Sequence, residues 1–350
     1  MAIPSTPEPN AMDAPSLAQP AVGAGDSPRE TPVAANAGVS VLIAAYNAEA
    51  FLERAVSSAL RQTSPPTEIL IVDDASLDGT AEAARALAAR DSRIRLLRLD
   101  DNRGPAGARN AGIEEARGDW IAVLDADDAF LPDRLERLQK IAEQTNADVV
   151  VDNFLWRPSV EAPPGAPGLA PSDATEIVDA ARYVARARPF VDEADWGLLK
   201  PMFRKAFLDA NRLRYPTRSR HGEDFLLMFE LLLAGGRYVV SRTPGYVYTA
   251  RSSGVSRTRI DYDAMAKHTL ALAGDARIRA DRRLKALLAQ RSAAVRRLSA
   301  QAKLAAYRRE GRYLPLAVAA LSDGAVRRET LSIAISRAKR WLRRTEVAVR

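Results

Sequence analysis

Three carboxylates close the apolar run Trp120-Ile-Ala-Val-Leu124: Asp125, Asp127 and Asp128. Charged side chains are almost never buried without a partner or a metal, so acids crowded at the end of such a run point to ligand chemistry. Asp125 and Asp127 stand two apart, and on an extended chain both leave the same face, where they can grip one hard cation or one ribose. A second acidic pair, Glu223-Asp224, follows His221-Gly222 and opens the apolar stripe Phe225, Leu226, Phe229, Leu232 and Leu233. A single carboxylate there suits a base that takes a proton from an incoming hydroxyl. Ala44-Ala-Tyr46-Asn47 is a small-residue turn with an aromatic, which lets backbone amides approach a diphosphate or base while the tyrosine stacks on it. Each motif alone has a plainer reading: Asp73-Asp74, Asp125 and Asp224 as helix or turn caps, Asn47 as a turn residue, Arg109 as a surface ion pair, Arg251 as an exposed arginine and His221 as a loop residue.

The elements around these residues decide between the two readings. Residues 39–44, 68–73, 120–124 and 147–152 read as buried strands, and 93–99 as a more exposed one. Helical spacing marks 48–61, the stretch after Thr80 up to Arg90, 132–144 and the stripe after Asp224. Asn102-Arg-Gly104-Pro-Ala-Gly107-Ala-Arg109-Asn110-Ala-Gly112 reads as a glycine-punctuated turn leading into a helix that stops near Gly118. The alternation implies an α/β fold with a doubly wound, mostly parallel sheet. Three of the acidic or turn motifs follow strands of that sheet, so their loops converge on one edge, where such sheets bind ligands. Asp74, Ser76, Asp78 and Gly79 open like a calcium loop, but Arg85 stands where that loop needs a bidentate glutamate.

Composition sets the limits. The 350 residues contain no cysteine and two histidines, which removes disulfides, thiolate chemistry and sulfur-ligated zinc. The net charge of +7 is uneven: residues 267–350 carry 21 Lys and Arg against 6 Asp and Glu, leaving a net of −8 for residues 1–266. A uniformly basic nucleic-acid binder does not look like this, and no nucleic-acid partner is expected. The longest apolar runs fall well short of the roughly 20 residues a membrane span needs, and no signal-peptide pattern opens the chain. The organisation expected is a disordered lead at 1–38, a catalytic domain at 39–260 (a nucleotide-binding half, 39–152, and an acceptor half, 153–260) and a basic helical C-terminal region at 261–350. Within that last region Leu331, Ala334, Ile335, Ala338, Trp341 and Leu342 share a helical face, while Arg337, Lys339, Arg340, Arg343 and Arg344 crowd the rest. This reads either as an element lying on an anionic membrane surface or as a helix packing on protein. A cytoplasmic location is expected, peripheral at the inner face of the plasma membrane on the first alternative.

Taken together, Val39-Ser-Val-Leu-Ile-Ala-Ala-Tyr-Asn47, Ile71-Val-Asp-Asp-Ala-Ser-x-Asp-Gly-Thr80, Asn102-x-Gly-x-x-x-Ala-Arg-Asn-x-Gly112, Gly118-Asp-Trp-Ile-Ala-Val-Leu-Asp-Ala-Asp-Asp128 and Gly222-Glu-Asp224 resemble, in order and spacing, the family 2 nucleotide-sugar glycosyltransferases. Trp196-Gly197 and Tyr248-x-x-Arg251 are similar to members that build bacterial exopolysaccharide of the succinoglycan type. The Gln-x-x-Arg-Trp motif and the multiple membrane helices of processive cellulose and hyaluronan synthases are missing. The resemblance implies a glycosyltransferase A-type fold, an inverting mechanism, a nucleoside-diphosphate sugar donor (a UDP-sugar by expectation) and a glycan or lipid-linked acceptor. It implies that Ala44, Tyr46 and Asn47 line the base and Asp74 accepts from its edge. Asp125 then approaches the ribose, Asp127 holds Mg²⁺ or Mn²⁺ on the diphosphate, and Asp128 is a substitute metal ligand. Asp224 becomes the catalytic base, Glu223 positions a substrate beside it, and Arg109 and Arg251 join the donor site. Two other readings stay open: a sugar nucleotidyltransferase, which would normally carry a glycine-rich, basic first loop, and a non-catalytic scaffold docked on a membrane.

Overall fold

The computed structural model describes residues 38–219, 221–250, 260–311, 321 and 324–331. Residues 1–37 of the expected lead, Arg251 and the basic stretch 334–344 lie outside the described residues. The order of elements is β1 (Val39–Ala45), α1 (Glu49–Leu60), β2 (Glu68–Asp73), α2 (Thr80–Arg90), β3 (Ile94–Arg98), α3 (Gly104–Glu115), β4 (Trp120–Asp125), β5 (Ala129–Phe130), α4 (Arg134–Thr145), β6 (Val149–Arg157), β7 (Thr175–Val178), α5 (Ala180–Arg186), β8 (Pro201–Arg204), α6 (Lys205–Ala210), α7 (Glu223–Leu233), β9 (Tyr238–Thr249), α8 (Tyr262–Ala271) and α9 (Arg282–Arg309). One sheet runs β3-β2-β1-β4-β8-β6-β9-β5, and β7 pairs with β9.

The strands at the centre of the parallel half are near-continuous apolar runs because both their faces are covered. Every residue of β2 is buried, as are all but one each of β1 and β4. The half-exposed β3, with Arg95 and Arg98, ends that side of the sheet, which is where a strand carrying charged residues can stand. Pairing is parallel from β3 through β4 and between β6 and β9, and antiparallel where β8 is inserted between β4 and β6. The second half is therefore more mixed than strand and helix alternation implied. The short strands β5, β7 and β8 carry too few residues for a period to register.

The glycine-punctuated stretch expected as a turn is itself helix α3. A proline at its first turn suits helix entry, Gly104 takes a left-handed φ of 72°, and Gly112 answers to packing: a Cβ there would sit 2.0 Å from Leu42 Cδ1 of β1. Beneath the later site lies a fully buried ion pair, in which Arg134 Nε and Nη2 bind Asp152 at 3.0 and 2.9 Å. The same Nη2 donates to the carbonyl of Lys200 at 2.7 Å, so the charge pair fixes the backbone at the entry to β8. Helix α9 turns Leu284, Leu288 and Val295 inward and Arg282, Arg283, Arg296 and Arg297 outward. It is tied in by Arg291, which is buried, donates to the Ala187 carbonyl at 2.6 Å and lies 3.4 Å from the Phe225 ring centre. Among the described residues no helix is long and apolar enough to cross a membrane.

Candidate active site

Parallel register brings the motif loops to one level: Ala44 of β1 faces Asp125 of β4, and Ala45 faces Asp73 of β2. The carboxyl ends of these strands and the start of α7 open onto one cleft of about 680 Å³. Its lining includes Ala44, Tyr46, Asp74, Arg109, Asp125, Asp127, Asp128, Glu223 and Asp224. Of the residues expected at the site, Arg251 lies outside the described residues and Asn47 is not part of the lining. Asn47 sits in the left-handed region (φ 48°), its backbone N–H donates to Ser76 Oγ at 3.0 Å, and its side chain accepts from Leu77 N at 2.9 Å. It ties the turn between β1 and α1 to the loop that follows β2.

Arg109 links the two acidic groups. The guanidinium is 5% exposed, so it is not the surface ion pair that was its plainer reading. It reaches Asp125 Oδ1 at 2.9 Å, Glu223 Oε1 at 3.0 Å and Asp224 Oδ1 at 3.3 Å. Burial alone would lower its pKa, but Asp224 and Asp125 reverse this and hold it well above the ordinary value. Residues more than a hundred positions apart are thereby pinned at one point.

A second buried cation was not foreseen. Lys200 Nζ lies 2.7 Å from Asp125 Oδ2, and Asp125 with Asp224 outweighs burial to raise its pKa. Burial likewise pushes Asp125 up, yet Lys200 and Arg109 together keep its carboxyl well below the usual range. The signal was present in the sequence: a lysine between Leu198-Leu199 and Pro201-Met-Phe203 is flanked by core residues and must find a partner. Arg54 of α1 was also missed; it donates to the Asp127 carbonyl and to Thr249 Oγ1 at 3.2 Å, steadying the acidic loop.

The remaining acids differ in environment. Asp128 is buried, receives the Tyr246 hydroxyl at 2.7 Å and the Thr249 N–H at 2.7 Å, and is pushed well up by burial, then by Asp127 and Asp125. Asp74, raised by burial, accepts from the Arg103 N–H at 2.7 Å where α3 begins. Glu223 is pushed up to about 7 by burial and then by Asp224. Helix α7 has Gly222 at its N-cap and no side-chain cap, so the start of this helix is not capped by Asp224. Asp125, Asp127 and Asp128 each bring an oxygen within 4.8 Å of one another, and an all-oxygen donor set of this kind fits a hard divalent cation.

The sequence model of glycosyl transferase family 2 matches residues 40–224. The chain belongs to this family. Among family relatives, it is 40% identical over 237 residues to the succinoglycan biosynthesis protein ExoO of Rhizobium meliloti (strain 1021), covering 65% of each chain. Over 228 residues it is 36% identical to ExoU of the same organism, with 64% of this chain and 65% of the relative covered. The match thus spans 65% of the length of these curated relatives. The crystal structure of S. aureus TarS 1–349 in complex with UDP-GlcNAc superposes with a TM-score of 0.55 at 22% identity, covering 68% of this chain and 66% of that one. The likeness to TarS establishes the shared α/β fold of the family's catalytic domain.

Proposed function

We propose that this family 2 member is an inverting, metal-dependent transferase that moves a hexose from a nucleoside-diphosphate sugar to a hydroxyl of a glycan or lipid-linked acceptor. Exopolysaccharide assembly is the process suggested by the names of ExoO and ExoU, and a UDP-sugar is the donor suggested by the TarS complex. The observation that carries the reading is the bridge through Arg109, which gathers the base candidates Glu223 and Asp224 and the ribose candidate Asp125 around one guanidinium in one cleft. One-step inversion needs a carboxylate beside the acceptor hydroxyl within reach of the bound donor, and this gathering supplies the candidates for it.

In the proposed step the acceptor oxygen bonds to the anomeric carbon as the bond from that carbon to the diphosphate breaks. Asp224 takes the acceptor proton. It lies in the first turn of α7. Glu223, protonated up to about pH 7, can hydrogen-bond the acceptor without adding a second charge. Ala44 and Tyr46 hold the base, Asp74 its edge, and Asp125, fixed by Arg109 and Lys200, the ribose. Asp127, with Asp128 as the second ligand, would hold Mg²⁺ or Mn²⁺, which when bound neutralises the charge that develops on the diphosphate. Arg251 would contact the diphosphate of the donor. The far wall of the cleft, with Leu198, Met265, Val295 and Leu298, is apolar and suits an acceptor carried on a lipid; the basic C-terminal stretch would hold the enzyme at the membrane bearing it.

The test is a panel of nucleotide sugars titrated calorimetrically with Mg²⁺ or Mn²⁺ and scored for donor hydrolysis. A UDP-sugar should bind, and chelation should abolish binding. If no nucleotide sugar bound with either metal, the reading would fail.

A further inference from the structure

Beside the cleft, β6 and β9 carry an aromatic cluster that the transfer step does not use. Phe154 and Trp156 meet edge to face with centroids 5.0 Å apart, and Trp156 and Tyr248 lie 5.0 Å apart. Trp156 and Tyr248 are register partners on the two parallel strands. Tyr248 lines the cleft and has the Lys200 ammonium 5.8 Å from its ring centre. Trp156 is 39% exposed. A ladder of side chains therefore leads from Asp125, through Lys200 and Tyr248, to an indole open to solvent.

The backbone that carries the indole is also held in place. Trp156 N donates to the Ala166 carbonyl at 2.9 Å, Gly165 N to the Trp156 carbonyl at 2.6 Å and Gly168 N to the Phe154 carbonyl at 2.8 Å. Gly168 has no room for a side chain, since a Cβ there would lie 2.4 Å from the Phe154 ring. The loop after β6 thus fixes the backbone of both aromatic residues, and the Phe154 and Tyr248 rings pack against the indole, so a ligand meeting Trp156 orders less of it.

We propose that Trp156 is a stacking platform for a pyranose ring of the acceptor glycan, a subsite behind the hydroxyl that receives the hexose. This rests on the reading of the cleft as a glycosyl-transfer site. A single exposed tryptophan is unremarkable on its own; this one continues the aromatic lining of the cleft. The sheet order puts β6 on the other side of β4 from β1 and β2, which carry the base-binding turn. Ala122 and Val150 share the level of Met202, so Trp156 stands two strand spacings across from Asp125 and three residues further along, about 10 Å in each direction. That places it away from the nucleotide, on the path of a chain leading out of the site. A pyranose with equatorial hydroxyls has an apolar C–H face, and the negative face of an indole attracts those hydrogens.

The test titrates cellotetraose and laminaritetraose, β-linked probes with such faces, into the full-length protein saturated with UDP and Mn²⁺. The parent should bind at least one of them saturably. Trp156→Ala should weaken that binding about tenfold, Trp156→Phe should weaken it less, and UDP affinity should stay unchanged in both. Parental glycan affinity in Trp156→Ala, or no binding of either probe by the parent while UDP still binds, would overturn the platform and leave the donor reading intact. A parent unable to bind UDP would overturn the donor reading and the platform with it.

Discussion

Glu223 titrates differently in the folded and the unfolded chain. Its carboxyl is raised from 4.5 to about 7 by burial and by Asp224, so the folded protein keeps a proton that the unfolded one has released. The resulting stability is complete below about pH 4.5 and is lost as pH rises through 7, on the order of 3 kcal/mol in all. Glu223→Gln keeps a neutral group at every pH. Its melting temperature should therefore gain on the parent's between about pH 4.5 and 7 and level off above; a constant difference would show that the carboxyl does not titrate there. Lys200 gives a second prediction. Replacing it with methionine strips Asp125 of one of its two buried cations, and removing one partner of a buried pair costs about 3 to 5 kcal/mol. Urea unfolding of Lys200→Met should show a loss of that order, and a stability equal to the parent's would mean that the pair contributes nothing.

At the scale of elements, α3 shows where patterns in the sequence mislead. Glycines at 104, 107 and 112 signal a turn because glycine weakens helices by about 1 kcal/mol each. That signal describes the isolated segment, whereas Gly112 is chosen by its neighbour: β1 brings Leu42 against the helix where a Cβ would stand. Gly112→Ala should improve helix propensity yet lose more to overpacking, roughly 1 to 3 kcal/mol. A urea midpoint above the parent's would contradict this. The buried strands β1, β2 and β4 were legible because a strand covered on both faces leaves an unbroken apolar run. Strands β5, β7 and β8 were not, since two to four residues hold no period. The acidic residues of the cleft could be listed from the sequence for the same reason that made them conspicuous, charge next to core. Of the basic residues around them, Arg54 escaped because a basic residue in a helix is ordinarily solvated, and Lys200 because its one signal was the apolar residues on either side of it.

At the scale of the whole molecule, the C-terminal helices are part of the body that forms the cleft. Met265 of α8 and Val295 and Leu298 of α9 line its wall, while Arg291 binds the Ala187 carbonyl and Thr269 Oγ1. Composition marked this region only as basic and helical, because the three-dimensional path of α9 depends on contacts far apart in sequence. Arg291→Ala would leave that carbonyl without its donor and open a void beside Phe225, costing about 2 to 4 kcal/mol; an unchanged melting temperature would show α9 to be dispensable to the fold. The same long-range folding brings Asp125 and Asp224 to the two ends of one guanidinium, and on that juxtaposition the proposed chemistry depends. Its most direct test is metal-dependent hydrolysis of the preferred nucleotide sugar by Asp224→Asn, measured with calorimetric donor binding on the same preparation. We expect donor affinity near the parent's and turnover lower by about 10² to 10⁴. Hydrolysis at the parental rate would contradict the assignment of the base, and with it the account of this cleft.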